Sequence, residues 1–136
     1  IHDNTALGID LGDDGVTLND PGDTDSGPNG LMNFSVLYSA SLSAVTLTVT
    51  GEARPGATVE FFKADADPSG YGEGQIFIGR GTVAASGTSG VVDPTAVQFS
   101  FTFSVKSLVV GDLLTSTATD PNEGTSEFSQ NISVTP

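Results

Sequence analysis

Three observations predict an all-β protein, a seven-stranded Ig-like β-sandwich with an N-terminal extra strand and a long acidic loop. Apolar and polar residues alternate in short runs. Those runs recur at regular spacing, with Gly, Pro, Asn and Asp clusters between them. No segment carries a helical period. Seven such runs in about a hundred residues match the strand count of an immunoglobulin-like sandwich.

Taken in order, the first run is Ala6–Leu11, with Leu7, Ile9 and Leu11 on one face and Gly8 and Asp10 on the other. Gly12 to Gly30 reads as loop, because Asp, Asn, Gly and Pro favour turns and left-handed backbone. A structureless loop of that length is uncommon unless it is functional or tied down. Within the first thirty positions stand Asp3, Asp10, Asp13, Asp14, Asp20, Asp23 and Asp25, with no Lys or Arg among them. The chain therefore divides into residues 1–33, a strand plus an Asp/Gly-rich calcium-type loop, and residues 34–136, the sandwich.

The sandwich strands are expected at Phe34–Ser39, Val45–Thr50, Thr58–Lys63, Gln75–Val83, Val97–Lys106, Leu113–Thr119 and Phe128–Thr135. In the second, Val45, Leu47 and Val49 point inward. The fifth is the cleanest, with Val97, Phe99, Phe101, Phe103 and Val105 on the buried face and Gln98, Ser100, Thr102 and Ser104 on the wet one. Burial of that Phe row at ~1.5–3 kcal/mol per side chain makes it a large share of the core. Turns are expected at 52–56, 65–74, 86–90, 110–112 and 120–124.

A chain of 136 residues is long enough for one domain with a sizeable core. It has no Cys, so disulfides contribute nothing. The net charge of −13, with only Arg54, Lys63, Arg80 and Lys106 as fixed cations, argues against nucleic acid, which needs clustered Lys and Arg. It argues equally against anionic membrane surfaces. No apolar run approaches bilayer-spanning length. A start at Ile1 and a Thr-, Ser- and Gly-rich composition lean toward an extracellular or cell-surface protein, as a mature secreted chain or an excised fragment.

The string GIDLGDDGVTLNDPGDTDSGPNGLMNF (8–34), with VEFFKADADPSGYGEGQIFIG (59–79) and TATDPNEGTSEFS (117–129), resembles one group of secreted and surface-displayed bacterial proteins. In these, an Ig-like module follows a right-handed parallel β-helix. The resemblance covers essentially the whole chain. It implies a large, non-enzymatic extracellular architecture and implies no ligand. These residues include no β-helix before residue 1, so the strand expected at Leu7, Ile9 and Leu11 would have no upstream coil to stack on within this sequence.

Oxygen-rich loops punctuated by glycine suit a hard cation, above all Ca²⁺. Asp20, Asp23, Asp25 and Asn29 place side-chain oxygens around Gly22 and Gly27, with Asp10, Asp13 and Asp14 as further donors. The pattern resembles part of a calcium loop but lacks its bidentate Glu. The alternative is a solvated loop of Asx-turns. A weaker second cluster is Asp65, Asp67 and Glu73 at one turn with Asp120, Asn122 and Glu127 at another; the competing reading is turn-forming, solubilising acids.

Catalysis is not expected. His2 is the only His, so neither a Ser-His-Asp triad nor a zinc His cluster can be assembled. There is no Trp, and Tyr71 is the one candidate sugar-stacking aromatic. Lys63 shares parity with Val59 and Phe61 and could turn inward toward an isopeptide partner, whereas Lys106 should face outward; the ordinary reading is an exposed or snorkelling Lys.

The resulting expectation is a calcium-stabilised, self-associating structural module. A free apolar strand beside open sheet edges is unstable. Leu7, Ile9 and Leu11 would add to a neighbour's sheet, and a head-to-tail version of that contact generates a filament. The alternative is a calcium-dependent adhesin or carbohydrate-binding module whose partner is an extracellular glycan.

Overall fold

Seven of the eight alternating runs contribute to strands, and the run at 6–11 does not. The computed structural model describes residues 1–136. Its strands are β1 (Val36–Ser43), β2 (Thr46–Ala53), β3 (Thr58–Ala64), β4 (Gly74–Thr82), β5 (Val97–Ser104), β6 (Leu113–Asp120), β7 (Gly124–Thr125) and β8 (Ile132–Thr135). They hydrogen-bond in the order β4-β3-β6-β8-β1-β2-β5, with β7 beside β6. All ladders are antiparallel except β1 with β8, which is parallel. No helix is long and apolar enough to cross a membrane.

The alternation decides which face is buried. Leu47, Val49, Val59, Phe61 and Leu114 are fully enclosed. Phe61 is the hub, with the rings of Phe99, Phe101 and Phe103 at 5.9, 6.1 and 5.5 Å. Ser100, Thr102 and Ser104 face solvent, as the period of two requires. The ends of the strand order, β4 and β5, meet through side chains, so the sheet nearly closes on itself. Glycine makes that approach possible. A Cβ on Gly79 would lie 2.5 Å from the Phe103 ring, and one on Gly81 would lie 2.6 Å from Phe101.

Several expectations shift. Val45 is exposed, because it sits in the two-residue β1–β2 turn beside Ala44, whose φ is 53°. Strand β2 runs on to Ala53, and its Gly51, Glu52 and Ala53 are buried, so the following turn starts only at Arg54. The last run pairs only over Ile132–Thr135. Residues 126–129 instead shadow β6 through hydroxyls: Ser126 Oγ accepts from Ala118 N–H at 3.0 Å, and Ser129 Oγ accepts from Ser116 N–H at 2.9 Å. Ser35 and Ser116 hydroxyls bond to each other in the same buried layer.

The N-terminal strand expected at Ala6–Leu11 does not form. Leu7, Ile9 and Leu11 are only half-buried, and the segment lies on its own domain without a ladder. What holds it is a row of carboxylates from the body. Glu73 Oε2 accepts from Asn4 N–H at 3.0 Å, and Asp65 Oδ2 accepts from Asp3 N–H at 3.1 Å. Glu127 accepts from Leu11 N–H at 2.9 Å and from Thr17 N–H at 2.8 Å. A side-chain acceptor satisfies one amide at a point where a partner strand would have satisfied several.

Candidate metal centre

The acidic loop is fastened by turn chemistry and by amide side chains. Asp20 to Asp23 forms a turn with Pro21 and Gly22 at its centre, closed by Asp23 N–H to Asp20 C=O at 3.2 Å. Gly22 has φ 80°, which the second central position of such a turn requires. The Asn33 side chain brackets this turn, accepting from Asp20 N–H at 3.0 Å and donating to Asp20 C=O at 2.7 Å. Asn19 does the same for Phe34, accepting at 2.9 Å and donating at 2.8 Å. Asp93, from the β4–β5 connection, accepts from Gly22 N–H at 3.2 Å. A loop of this length is thereby pinned at several points along its course.

This folding brings carboxylate oxygens of Asp20, Asp23 and Asp25 within 4.8 Å of one another. Asp20 Oδ2 accepts from the Thr24 amide and hydroxyl, both at 2.9 Å. Asp23 Oδ1 accepts from Asn33 N–H at 3.0 Å, and its Oδ2 pairs with Arg54 Nη1 at 2.9 Å. Asp20 Oδ1 is buried and has no partner. The electrostatics follow from these contacts. The Thr24 amide holds the Asp20 carboxyl below its ordinary value of 3.8. Partial desolvation, then the charges of Asp20 and Asp23, push the Asp25 carboxyl above it. Three carboxylates against one guanidinium leave a net negative site with an orphaned oxygen, which is a donor set a hard cation accepts.

Beside the group opens a cavity of about 320 Å³ whose wall includes Asn19, Asn33, Phe34, Arg54 and Asp93. Arg54 ties its elements together, reaching Asp23 on the loop, Asp120 at the end of β6 (3.5 Å) and Glu123 in the next turn (3.7 Å).

The other expected ligands are dispersed. Asp10 accepts from Asp14 N–H (3.1 Å) and Gly15 N–H (2.9 Å), making its own turn, with Asp13 and Asp14 exposed on it. Asn29 donates to Thr125 C=O at 3.0 Å. The second cluster separates: Asp65, Asp67 and Glu73 line one pocket with Asp3, while Asp120 accepts from Asn122 N–H and meets Arg54, and Glu127 holds the N-terminal segment. Lys63 pairs with Asp112 at 3.1 Å, and Lys106 is exposed. His2 lies against Asp3. Tyr71 packs edge-on to Phe34 at 5.6 Å.

Sequence reasoning missed Asn19, Asn33, Glu52 and Asp93. Glu52 is almost fully buried and accepts from Tyr38 Oη–H and from the amides of Val91, Val92 and Asp93. Its signal is a lone acid at an otherwise apolar strand end, where the sequence predicts a turn from residue 52. No family model matches the chain.

Proposed function

We propose that the chain is a non-catalytic structural module of an extracellular or cell-surface protein, an Ig-like sandwich whose acidic loop is closed by Ca²⁺ and which associates with copies of itself. The observation that carries the calcium reading is Asp20 Oδ1, a buried carboxylate oxygen without a donor, set among Asp23 and Asp25. An unsatisfied buried charge is costly, and a cation removes that cost. Supporting the sandwich reading, β5-β2-β1 and β4-β3-β6-β8 form two runs that enclose the Phe61 core. Self-association is supported by the backbone of residues 5–10, whose amides bond to nothing within the chain. A neighbour's edge strand would satisfy them, once this segment leaves its own domain.

Light scattering of the full chain at high concentration with Ca²⁺ tests the assembly. Growth beyond a monomer, abolished by Ile9→Asp with an unchanged circular dichroism spectrum, is the expected result. A wild-type chain that stays monomeric contradicts it.

The cavity beside the loop favours a second reading. Asn19, Asn33, Arg54 and Asp93 offer polar groups around the Phe34 edge, an arrangement that suits a hydroxyl-rich ligand such as a glycan bridged by Ca²⁺. Calcium-dependent glycan retention lost in Asn33→Ala would favour it over a purely structural role.

A further inference from the structure

Only two buried side-chain polar atoms in the whole chain lack a hydrogen-bond partner, and the second is Glu73 Oε1. Glu73 is 1% exposed, on a loop entering β4. Its other oxygen accepts from Asn4 N–H. None of the four Lys and Arg side chains is near enough to neutralise it, and the Ile1 ammonium beside it donates to Gly74 C=O at 3.1 Å rather than to the carboxylate. Arg54 serves Asp23, Lys63 serves Asp112 and Arg80 reaches Glu60, while Lys106 is exposed. A buried carboxylate without a cationic partner destabilises the folded state, because the charge has lost its water and gained no counter-charge.

Glu73 does line a pocket, of about 230 Å³, and the other charged groups on its wall are all acids: Asp3, Asp65 and Asp67. Asp65 is held rigid, accepting from Glu73 N–H and Asp3 N–H, each at 3.1 Å. Asp67 uses one oxygen on Ser69 N–H at 2.8 Å, and its other oxygen forms no hydrogen bond. The carboxylates stand further apart than in the Asp20 group, around a space with room for a cation that keeps part of its water shell.

From the orphaned Glu73 oxygen and this all-acidic wall, we infer a second divalent-cation site, formed by Glu73, Asp65 and Asp67 of the body with Asp3 of the N-terminal segment. Ca²⁺ fits it best, since a larger cation with flexible, mixed carboxylate and water coordination matches a wide pocket better than the tight octahedron of Mg²⁺. The site joins the N-terminal segment to the β3–β4 connection, so the ion fastens the end of the chain to the domain. It is independent of the Asp20 loop and of the calcium reading made there.

Equilibrium dialysis of the full chain against Ca²⁺ tests it. Glu73→Gln and Asp67→Asn should each remove one bound ion, or weaken its binding by about tenfold or more, while Asp20→Asn leaves that ion in place. Ca²⁺ should also slow hydrogen exchange at the Asn4 amide, and fail to do so in Asp67→Asn. Asp67 stands in the turn outside the core, so this variant decides the matter if Glu73→Gln does not fold. Calcium binding unchanged in both stoichiometry and affinity in Asp67→Asn overturns the site, whatever Asp20→Asn does. Loss of an ion only in Asp20→Asn supports the loop site and overturns this one; loss only in Glu73→Gln and Asp67→Asn does the reverse.

Discussion

At the scale of single residues, buried carboxylates in this chain act mainly as acceptors for backbone amides. Glu52 takes three, and Glu127 takes two that lie more than a hundred positions away in sequence. Hydrogen bonds to charged groups contribute about 1.5–3 kcal/mol each. Glu127→Ala is therefore expected to cost about 3 kcal/mol in urea unfolding and to raise hydrogen exchange at the Leu11 and Thr17 amides. Unchanged exchange there would mean that other contacts hold the segment.

The carboxyls of the loop are shifted in opposite directions. Asp10 and Asp20 are held below 3.8 by the amides of Gly15 and Thr24. Their contribution to stability is fully present above 3.8 and is lost as pH falls through the lower folded values. Asp25 is raised, so stability is lost as pH rises above 3.8, and the loss is complete once pH exceeds its folded value. In calcium-free buffer at pH 7, Asp25→Asn should raise the melting temperature and Asp20→Asn should lower it. Calcium should reverse the first result if Asp25 is a ligand, as proposed. Two variants that shift the melting temperature in the same direction without calcium would contradict this assignment of charges. The density of Asp was plain in the sequence. Which acids gather and which make local turns was not, since it depends on Asn33 and Asn19, uncharged residues that bracket the loop through space.

At the scale of elements, the strands were legible wherever side chains alternate strictly. Strand β5 shows this best, because its Phe row and its Ser and Thr row fall on opposite faces. Phe101→Ala, which removes a ring stacked at 4.9 Å on Phe99, should cost about 3–4 kcal/mol. Thr102→Ala, facing solvent, should stay within about 0.5 kcal/mol. Equal costs in chemical denaturation would mean that the register is wrong. Strand β1 extends through Ser39, Ala40 and Ser41, small residues with little intrinsic signal, and so ran past its expected end. The run Leu7, Ile9, Leu11 alternates as well as any strand yet forms none. Period two reports one apolar face; it does not report whether a free edge lies within reach. The closure of β4 on β5 depended on Gly79 and Gly81, which the sequence presents only as breaks in a strand.

At the scale of the molecule, a nearly closed sheet carries two acidic pockets, each lined by one of the two residues with an orphaned buried oxygen. The charge of −13 acts against the compact state, and cations collected at those pockets, as proposed, would oppose that repulsion. The N-terminal segment runs between them, tied by carboxylates at intervals and unpaired along residues 5–10. Release of Leu11 from Glu127 is the step that addition of residues 6–11 to a second copy would require, and it leaves Asn4 on Glu73.

Thermal unfolding of the full chain, once in EDTA and once in millimolar Ca²⁺, tests the calcium-stabilised reading most directly. A ligand bound only by the folded state adds about 2.7 kcal/mol at a hundredfold excess over its Kd. The melting temperature should therefore rise by several degrees in Ca²⁺, and Asp20→Asn should reduce that rise. Superimposable curves in EDTA and Ca²⁺ would contradict the account.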